Sequence, residues 1–483
     1  MFDVTVIGCG VIGASIAYEL SHYQLSVAIV EKENDIACGA TKANSAIVHA
    51  GYDPMPGTKM ARLNVEGSKK MEDLCKRLSV EYKRIGSLVL AFDEADLDII
   101  RGLYRRGILN GVEELQMLSK EQALNKEPNL NPKIVGALYA PTTAVVNPWG
   151  LAIAMAQSAV ANGTKLYLNG CVSHIIEQDG FYQLKAGRNT LETKYIVNAS
   201  GAFSDTVNNM AAKPYFTILP VKGQYYLLDK SQGEIVNHVI FQPPSRNGKG
   251  VLISPTVHGN LIVGPTADPA ASSEDTAVTA DGLEEVVAAA TRSSAKINFR
   301  ESIRNFAGLR ATTETDDFIL EAPKDAPRFV NAAAIKSPGL SASPAIGPEV
   351  RGILEKNGLI CKKKTFYTDF QKRPLFRDMT ENQRKEALLK NPLYGRVICR
   401  CETITEGDIL HVIQSPIPPV SIDGIKRRCN AGMGRCQGGF CGPRVHTILS
   451  RETGVPMEKI EQDRAGSCLL TGETKTGGDQ FAK

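Results

Sequence analysis

Neither sign of charge dominates this 483-residue chain: 56 lysines and arginines stand against 52 aspartates and glutamates, a net of +4. Without such an excess, the totals carry no footprint of nucleic acid or of a membrane surface. No apolar run approaches the roughly 20 residues needed to cross a bilayer, which excludes an integral helical membrane protein. A basic leader is also missing, and a glycine fingerprint begins as early as Gly8. The expectation is a cytoplasmic chain without a removable signal segment, any membrane association being made through a partner. Internal repeats are absent. What is present, 43% hydrophobic and 22% charged residues, excludes wholesale disorder, and the length suits two to four domains.

The eleven cysteines are unevenly spread. Cys9, Cys38, Cys75, Cys171, Cys361 and Cys468 lie far apart, whereas the other five fall between Cys399 and Cys441. In a reducing compartment such bunching points to a metal site rather than to disulfides.

Residues 3–7 read as a buried strand, Val11 to Leu20 as a helix and Ser26 to Glu31 as a second strand, a βαβ-type opening. Met60, Leu63, Met71, Leu74 and Leu78 keep helical spacing. A helix over about 149–160 and a short meander around 165–185 lead into a strand at 195–198. Residues 216–265 are β-rich, with a hairpin over 250–264, and a helix follows at 283–291. The Lys-rich stretch 356–394 reads as a linker or, in part, a solvated helix, and the last residues as a disordered tail.

Gly8-Cys9-Gly10-Val11-Ile12-Gly13 falls between strand and helix, where a pyrophosphate meets backbone N–H groups at a helix start. Gly8 suits the tight turn, Gly10 close approach of phosphate, and Gly13 close helix–strand packing. Glu31, ending the second strand, can accept hydrogen bonds from ribose hydroxyls. Three later segments select FAD over NAD. The small-residue run Asn44–Gly51 would let backbone lie against a flat ring, Asn198–Ala202 follows a strand, and Ser337–Pro344 would begin a helix. That helix start, with Gly339 and Leu340, could stabilise negative charge on a reduced isoalloxazine. Within the ring-facing run, His49 is the candidate base, since an imidazole suits removal of a hydroxyl proton during alcohol oxidation. Ser45 can bond substrate or flavin, or serve packing alone. Lys249, in Asn247-Gly248-Lys249-Gly250, is a candidate phosphate ligand or a plain loop charge.

In the cysteine-rich end, one residue separates Cys399 from Cys401, thirty-four separate Cys401 from Cys436, and four separate Cys436 from Cys441. Four thiolates can hold a [2Fe–2S] cluster, with the glycines of 432–434 and 438–439 letting N–H groups reach the sulfurs. Structural zinc is the competitor, although it favours two to four residues between paired cysteines. Thr405-Glu406-Gly407-Asp408 is a capping-type helix start.

Residues 1 to about 350 resemble the D-amino-acid-oxidase-like flavoprotein family. The run Ala43–Asp53, together with Lys249–Val251, Pro255–Asn260 and Val263–Thr266, is especially similar to its glycerol-3-phosphate oxidase/dehydrogenase branch. The L-2-hydroxyglutarate dehydrogenases share the Asn-Ser-x-x-x-His-Ala-Gly pattern of 44–51. Asn198–Ala202 resembles the second flavin-contact motif of glutathione-reductase-type folds, with Gly201 at the contact. Residues 396–450, through Gly432–Cys441, resemble a bacterioferritin-associated-ferredoxin-like domain, from which Cys429 departs.

The resemblance implies an α/β (α+β) protein: a glutathione-reductase-type FAD-binding Rossmann domain (about 1–81, 146–215 and 326–355) interleaved with a β-rich substrate domain (about 82–145 and 216–325). A linker (356–394), a small [2Fe–2S] domain (395–470) and a tail (471–483) follow. It also implies a substrate-contacting role for His49 and an anion-gripping role for Arg310. The activity expected is FAD-dependent oxidation of glycerol 3-phosphate to dihydroxyacetone phosphate, electrons leaving through the cluster to a protein, subunit or quinone. A 2-hydroxy-acid or amino-acid/amine dehydrogenase, or an electron-transfer subunit without its own substrate, are the alternatives.

Overall fold

Phe2–Ile7 runs parallel to Val27–Val30 on one side and to residues 193–198 on the other in the computed structural model, which describes residues 1–244 and 250–472. Val4, Val6 and all of Val27–Val30 are buried, and strands covered on both faces read as continuous apolar runs. Phe329–Ala333 adds to the sheet beside 196–198, again in parallel.

The stretch around 165–185, read as one meander, is divided. Lys165–Tyr167 pairs in parallel with 28–30 at the sheet edge, while Val172–Gln178 and Phe181–Ala186 form the antiparallel hairpin that continues into Asn189–Asn198. The buried helix Pro148–Ala161 precedes Lys165, and a strand delivered by a helical crossover pairs in parallel.

Three helices, Val11–Ser21, Lys59–Arg77 and Gly339–Lys356, cover the sheet around a core that includes Val4, Ile16, Leu63, Val330 and Ile346. Fully burying each such side chain contributes about 1.5–3 kcal/mol. The last two helices meet backbone to backbone at Gly67, where a Cβ would stand 2.2 Å from the Ser341 carbonyl oxygen. Pro344 lies inside the third helix and lacks an N–H for the Leu340 carbonyl; the Ser343 hydroxyl donates to that oxygen instead, at 2.9 Å.

A second sheet carries the β-rich region. Its strands run in the order 268–269, 219–228, 261–264, 252–255, 239–241, 87–91, 136–140 and 116–119, with Ser302–Thr312 lying antiparallel to Leu219–Leu228. Leu88, Leu90, Ile240, Ile253 and Val263 fill one face. The hairpin expected over 250–264 is Leu252–Pro255 against Leu261–Gly264. Both sheets belong to one body, residues 1–32 and 36–372.

The second body comprises residues 33–35 and, among the described residues, 373–472, so the chain contributes to it twice. It holds a two-stranded ribbon, Val397–Cys399 with Ile404–Thr405, and helices Glu406–Ile413, Ile422–Cys429 and Gly442–Thr453. The expected capping start is a full capping box between Thr405 and Asp408. Ile398, Ile409, Ile425, Val445 and Leu449 form its core. Asp35 is buried there and accepts from Arg427 at 2.9 Å and from Arg428 at 2.8 Å through each carboxylate oxygen.

Candidate functional site

The glycine fingerprint forms a cradle that side chains would close. A Cβ at Gly13 would stand 1.9 Å from the Gly8 carbonyl oxygen, and one at Gly8, where φ is +97°, 2.5 Å from the Ala199 oxygen. The first contact seats the helix on the turn; the second brings the Asn198–Ala202 run to the fingerprint. At Gly10 a Cβ would meet only the Thr41 hydroxyl within 4 Å, leaving open the side from which a phosphate approaches. Gly10 is the N-cap without a side-chain cap, and no acidic residue occupies the helix's first turn. That start suits an anion. Glu31 is buried and accepts the Cys9 N–H at 2.7 Å through Oε2. Gly201, at φ +60°, opens a short 3-10 turn with nothing within 4 Å of its Cβ position. These residues fit a dinucleotide.

The run Asn44–Gly51 is tightly held. Ala46 is in the left-handed region at φ +60°, a costly conformation for alanine, and its N–H donates to the Asn44 side chain at 2.7 Å. Ser341, at the start of the Gly339–Lys356 helix, accepts the His49 N–H at 2.8 Å. That helix has Pro338 as N-cap and no side-chain cap; the Gly339 N–H donates to the Lys336 carbonyl at 2.7 Å, so Leu340 supplies the next N–H of the helix start toward an anionic ring. His49 Nε2 lies 3.3 Å from the Ser337 hydroxyl, and its ring stacks against Phe241 at 5.7 Å.

The second sheet meets this run directly. At Gly308 a Cβ would stand 1.9 Å from the Ala43 carbonyl oxygen, and Ser45 shares a 3.2 Å hydrogen bond with the buried Tyr225, itself stacked on Phe306. Arg310, two residues along the same strand from Gly308, points both terminal nitrogens at the Thr266 carbonyl, each at 3.3 Å. Gly223 makes room: a Cβ there would be 2.8 Å from an Arg310 terminal nitrogen. The fold thus brings Ser45 and Arg310 to one sheet edge, and ties His49 to the helix start beyond it. Lys249 lies outside the described residues. Tyr225, Phe241 and Ser341 escaped the sequence reading; the two aromatics sit in ordinary strands, whereas Ser341 lay inside a quoted motif.

In the second body, Cys401 and Cys436 place their sulfurs 3.8 Å apart. Two thiolates about 2.3 Å from one tetrahedral metal stand at such a separation. The Cys441 thiol donates to Cys399, lowering the Cys399 pKa and raising its own. Sulfurs therefore meet across the sequence pairs, 401 with 436 and 399 with 441. The Gly432 and Glu402 N–H groups point at the Cys399 sulfur, and those of Phe440 and Gly438 at Cys436. Such donors stabilise thiolates on an iron–sulfur group, and the four residues fit one. Cys429 is buried and donates to the Ile425 carbonyl at 3.4 Å, one turn back on its own helix.

Residues 3–351 match the FAD dependent oxidoreductase model, and residues 397–451 match the BFD-like [2Fe-2S] binding domain. The chain belongs to the FAD-dependent oxidoreductase family. This flavoenzyme is 48% identical to a glycerol 3-phosphate dehydrogenase of Caloramator mitchellensis, over 99% of each chain. A solved L-alpha-glycerophosphate oxidase of Mycoplasma pneumoniae with FAD bound superposes with a TM-score of 0.73 at 34% identity, covering 77% of this chain and 99% of that one. An L-2-hydroxyglutarate dehydrogenase of Escherichia coli strain K12 is 28% identical over 55% of this chain and 64% of its own. The flavoenzyme's cofactors are FAD and a [2Fe–2S] cluster. Among the described residues, no helix is long and apolar enough to cross a membrane.

Proposed function

We propose that the enzyme oxidises sn-glycerol 3-phosphate to dihydroxyacetone phosphate and sends the electrons onward singly. The observation that carries this is the full-length likeness to the Caloramator dehydrogenase; the 2-hydroxy-acid reading has only a partial match behind it. Bound FAD supplies the hydride acceptor, and a bound [2Fe–2S] group a one-electron path.

The chain's own residues supply the rest. The substrate's secondary alcohol carbon loses a hydride while its oxygen loses a proton. His49 takes that proton on its imidazole; Ser337 and Phe241 hold the ring. Arg310 offers a planar fork to the phosphate, its orientation set by the Thr266 carbonyl. Ser45 and Tyr225 orient the substrate's hydroxyl end. Cys399, Cys401, Cys436 and Cys441 hold the iron, with Gly432 and Gly438 donating to two of the sulfurs.

Anaerobic titration of the holoenzyme tests the reading. Glycerol 3-phosphate is expected to bleach the flavin absorption. Bleaching by L-2-hydroxyglutarate, with glycerol 3-phosphate inert, overturns it.

A further inference from the structure

Within the cysteine-bearing stretch 396–451, the exposed charge is of one sign. Residues 396–451 contain eight lysines and arginines and four aspartates and glutamates. All four acids are buried and engaged: Glu402 with Arg377, Glu406 with Arg396 and Arg451, Asp408 with Thr405, and Asp423 with Gln462. Every exposed charge in this stretch is an arginine.

Three of those arginines adjoin the sulfur ligands. Arg400 lies between Cys399 and Cys401, Arg435 precedes Cys436, and Arg444 stands in the first turn of the helix that follows Cys441. The two loops touch, because a Cβ at Gly434 would be 2.3 Å from the Cys401 Cβ. Cys401 itself is exposed, so the ligand set opens to solvent on this side. Cations present only to offset thiolate charge gain most by being buried, as Lys426 is, whereas Arg400 and Arg444 are exposed.

Beside them, Phe440 is 86% exposed, although its backbone N–H is committed to the Cys436 sulfur. An exposed phenyl ring forgoes the stabilisation that burial would contribute. Aromatic side chains and arginines are the groups that anchor protein interfaces.

We propose that the exposed surface of the two cysteine loops, carrying Phe440, Arg400, Arg435 and Arg444, is the docking site for an acidic one-electron carrier protein. Charge complementarity selects the partner's sign, and an opening at the sulfur ligands selects its chemistry. Oxidation of one alcohol carbon to a carbonyl releases two electrons and two protons. Two carrier molecules therefore leave with one electron each, and the protons pass to water. A single phenyl ring is a slight anchor for a lipid surface, which favours a protein. The inference rests on the dehydrogenase reading above.

The test uses the intact holoenzyme and an acidic plant-type [2Fe–2S] ferredoxin as probe, with affinity measured by calorimetry. Binding is expected to weaken about tenfold or more as salt rises from low to moderate strength. R400E, R444E and F440S are each expected to weaken it by about tenfold or more at fixed salt, the first two by setting like charges against each other across the interface and the third by removing the aromatic anchor. Iron content, the paramagnetic spectrum of the cluster and flavin bleaching by glycerol 3-phosphate are expected to stay unchanged in these variants. Absence of ferredoxin binding, or binding indifferent to all three substitutions while bleaching is intact, overturns the docking site. So does transfer of the effect to vesicles of anionic phospholipid or to self-association. Failure of bleaching in the parent enzyme overturns the dehydrogenase reading instead, a separate result.

Discussion

His49 Nε2 and the Ser337 hydroxyl lie 3.3 Å apart, linking the ring-facing run to the segment that launches the Gly339–Lys356 helix. The imidazole face also stacks on Phe241, so the ring is held by two elements distant in sequence. A proton acceptor fixed in this way should show its absence in the rate. H49A is expected to slow anaerobic flavin reduction by about 10²–10⁴-fold, the usual contribution of a positioned acid–base group. The flavin spectrum should persist, because the fingerprint cradle is untouched; stopped-flow absorbance checks both.

R310K keeps the charge and loses the fork. Its apparent KM for glycerol 3-phosphate should rise by about tenfold to a hundredfold, since a hydrogen bond to a charged group is worth about 1.5–3 kcal/mol. Steady-state kinetics with a dye acceptor reads this directly. Equal KM values would remove Arg310 from the phosphate.

D35N leaves two buried guanidinium groups short of a carboxylate. Burial alone would raise the Asp35 pKa, but Arg428 and Arg427 hold it well below the ordinary carboxylate range. Breaking a buried pair costs about 3–5 kcal/mol. Chemical denaturation followed through the cluster's visible absorption should show the loss.

Glu81 gives a pH dependence with a definite sign. Burial would raise its pKa, yet Lys372, at 3.0 Å, and His258 draw it from 4.5 down to about 2. A carboxylate with a depressed folded value stabilises fully above its ordinary pKa and loses that contribution as pH falls towards the folded one. The difference in melting temperature between wild type and E81Q should therefore be constant near neutrality and shrink from about pH 4.5 downward.

The dinucleotide half was legible because its signals are local: two runs of buried strand residues, a glycine turn and an acidic residue at the strand end. The order of small-residue runs also carried information, since Gly8 meets Ala199 and His49 meets Ser341 by way of those runs. Tyr225 and Phe241 were not legible. Their roles arise from register, Tyr225 lying opposite Phe306, and no residue type announces which strand position will face a site. Residues 165–167 went astray for a similar reason, three residues being too few to reveal which sheet they join. Spacing within the cysteine pairs suggested the cluster but not that sulfurs would meet across those pairs.

The tripeptide Glu33–Asp35 is counted with the cysteine-rich body although it lies more than three hundred residues upstream of it. A gene fragment encoding only the downstream portion would bury Arg428 against a backbone carbonyl, that of Gly424, in place of a carboxylate. Grafting this electron-transfer end onto another flavoprotein therefore calls for two transplanted pieces, the short one inserted just after the acidic residue at the strand end.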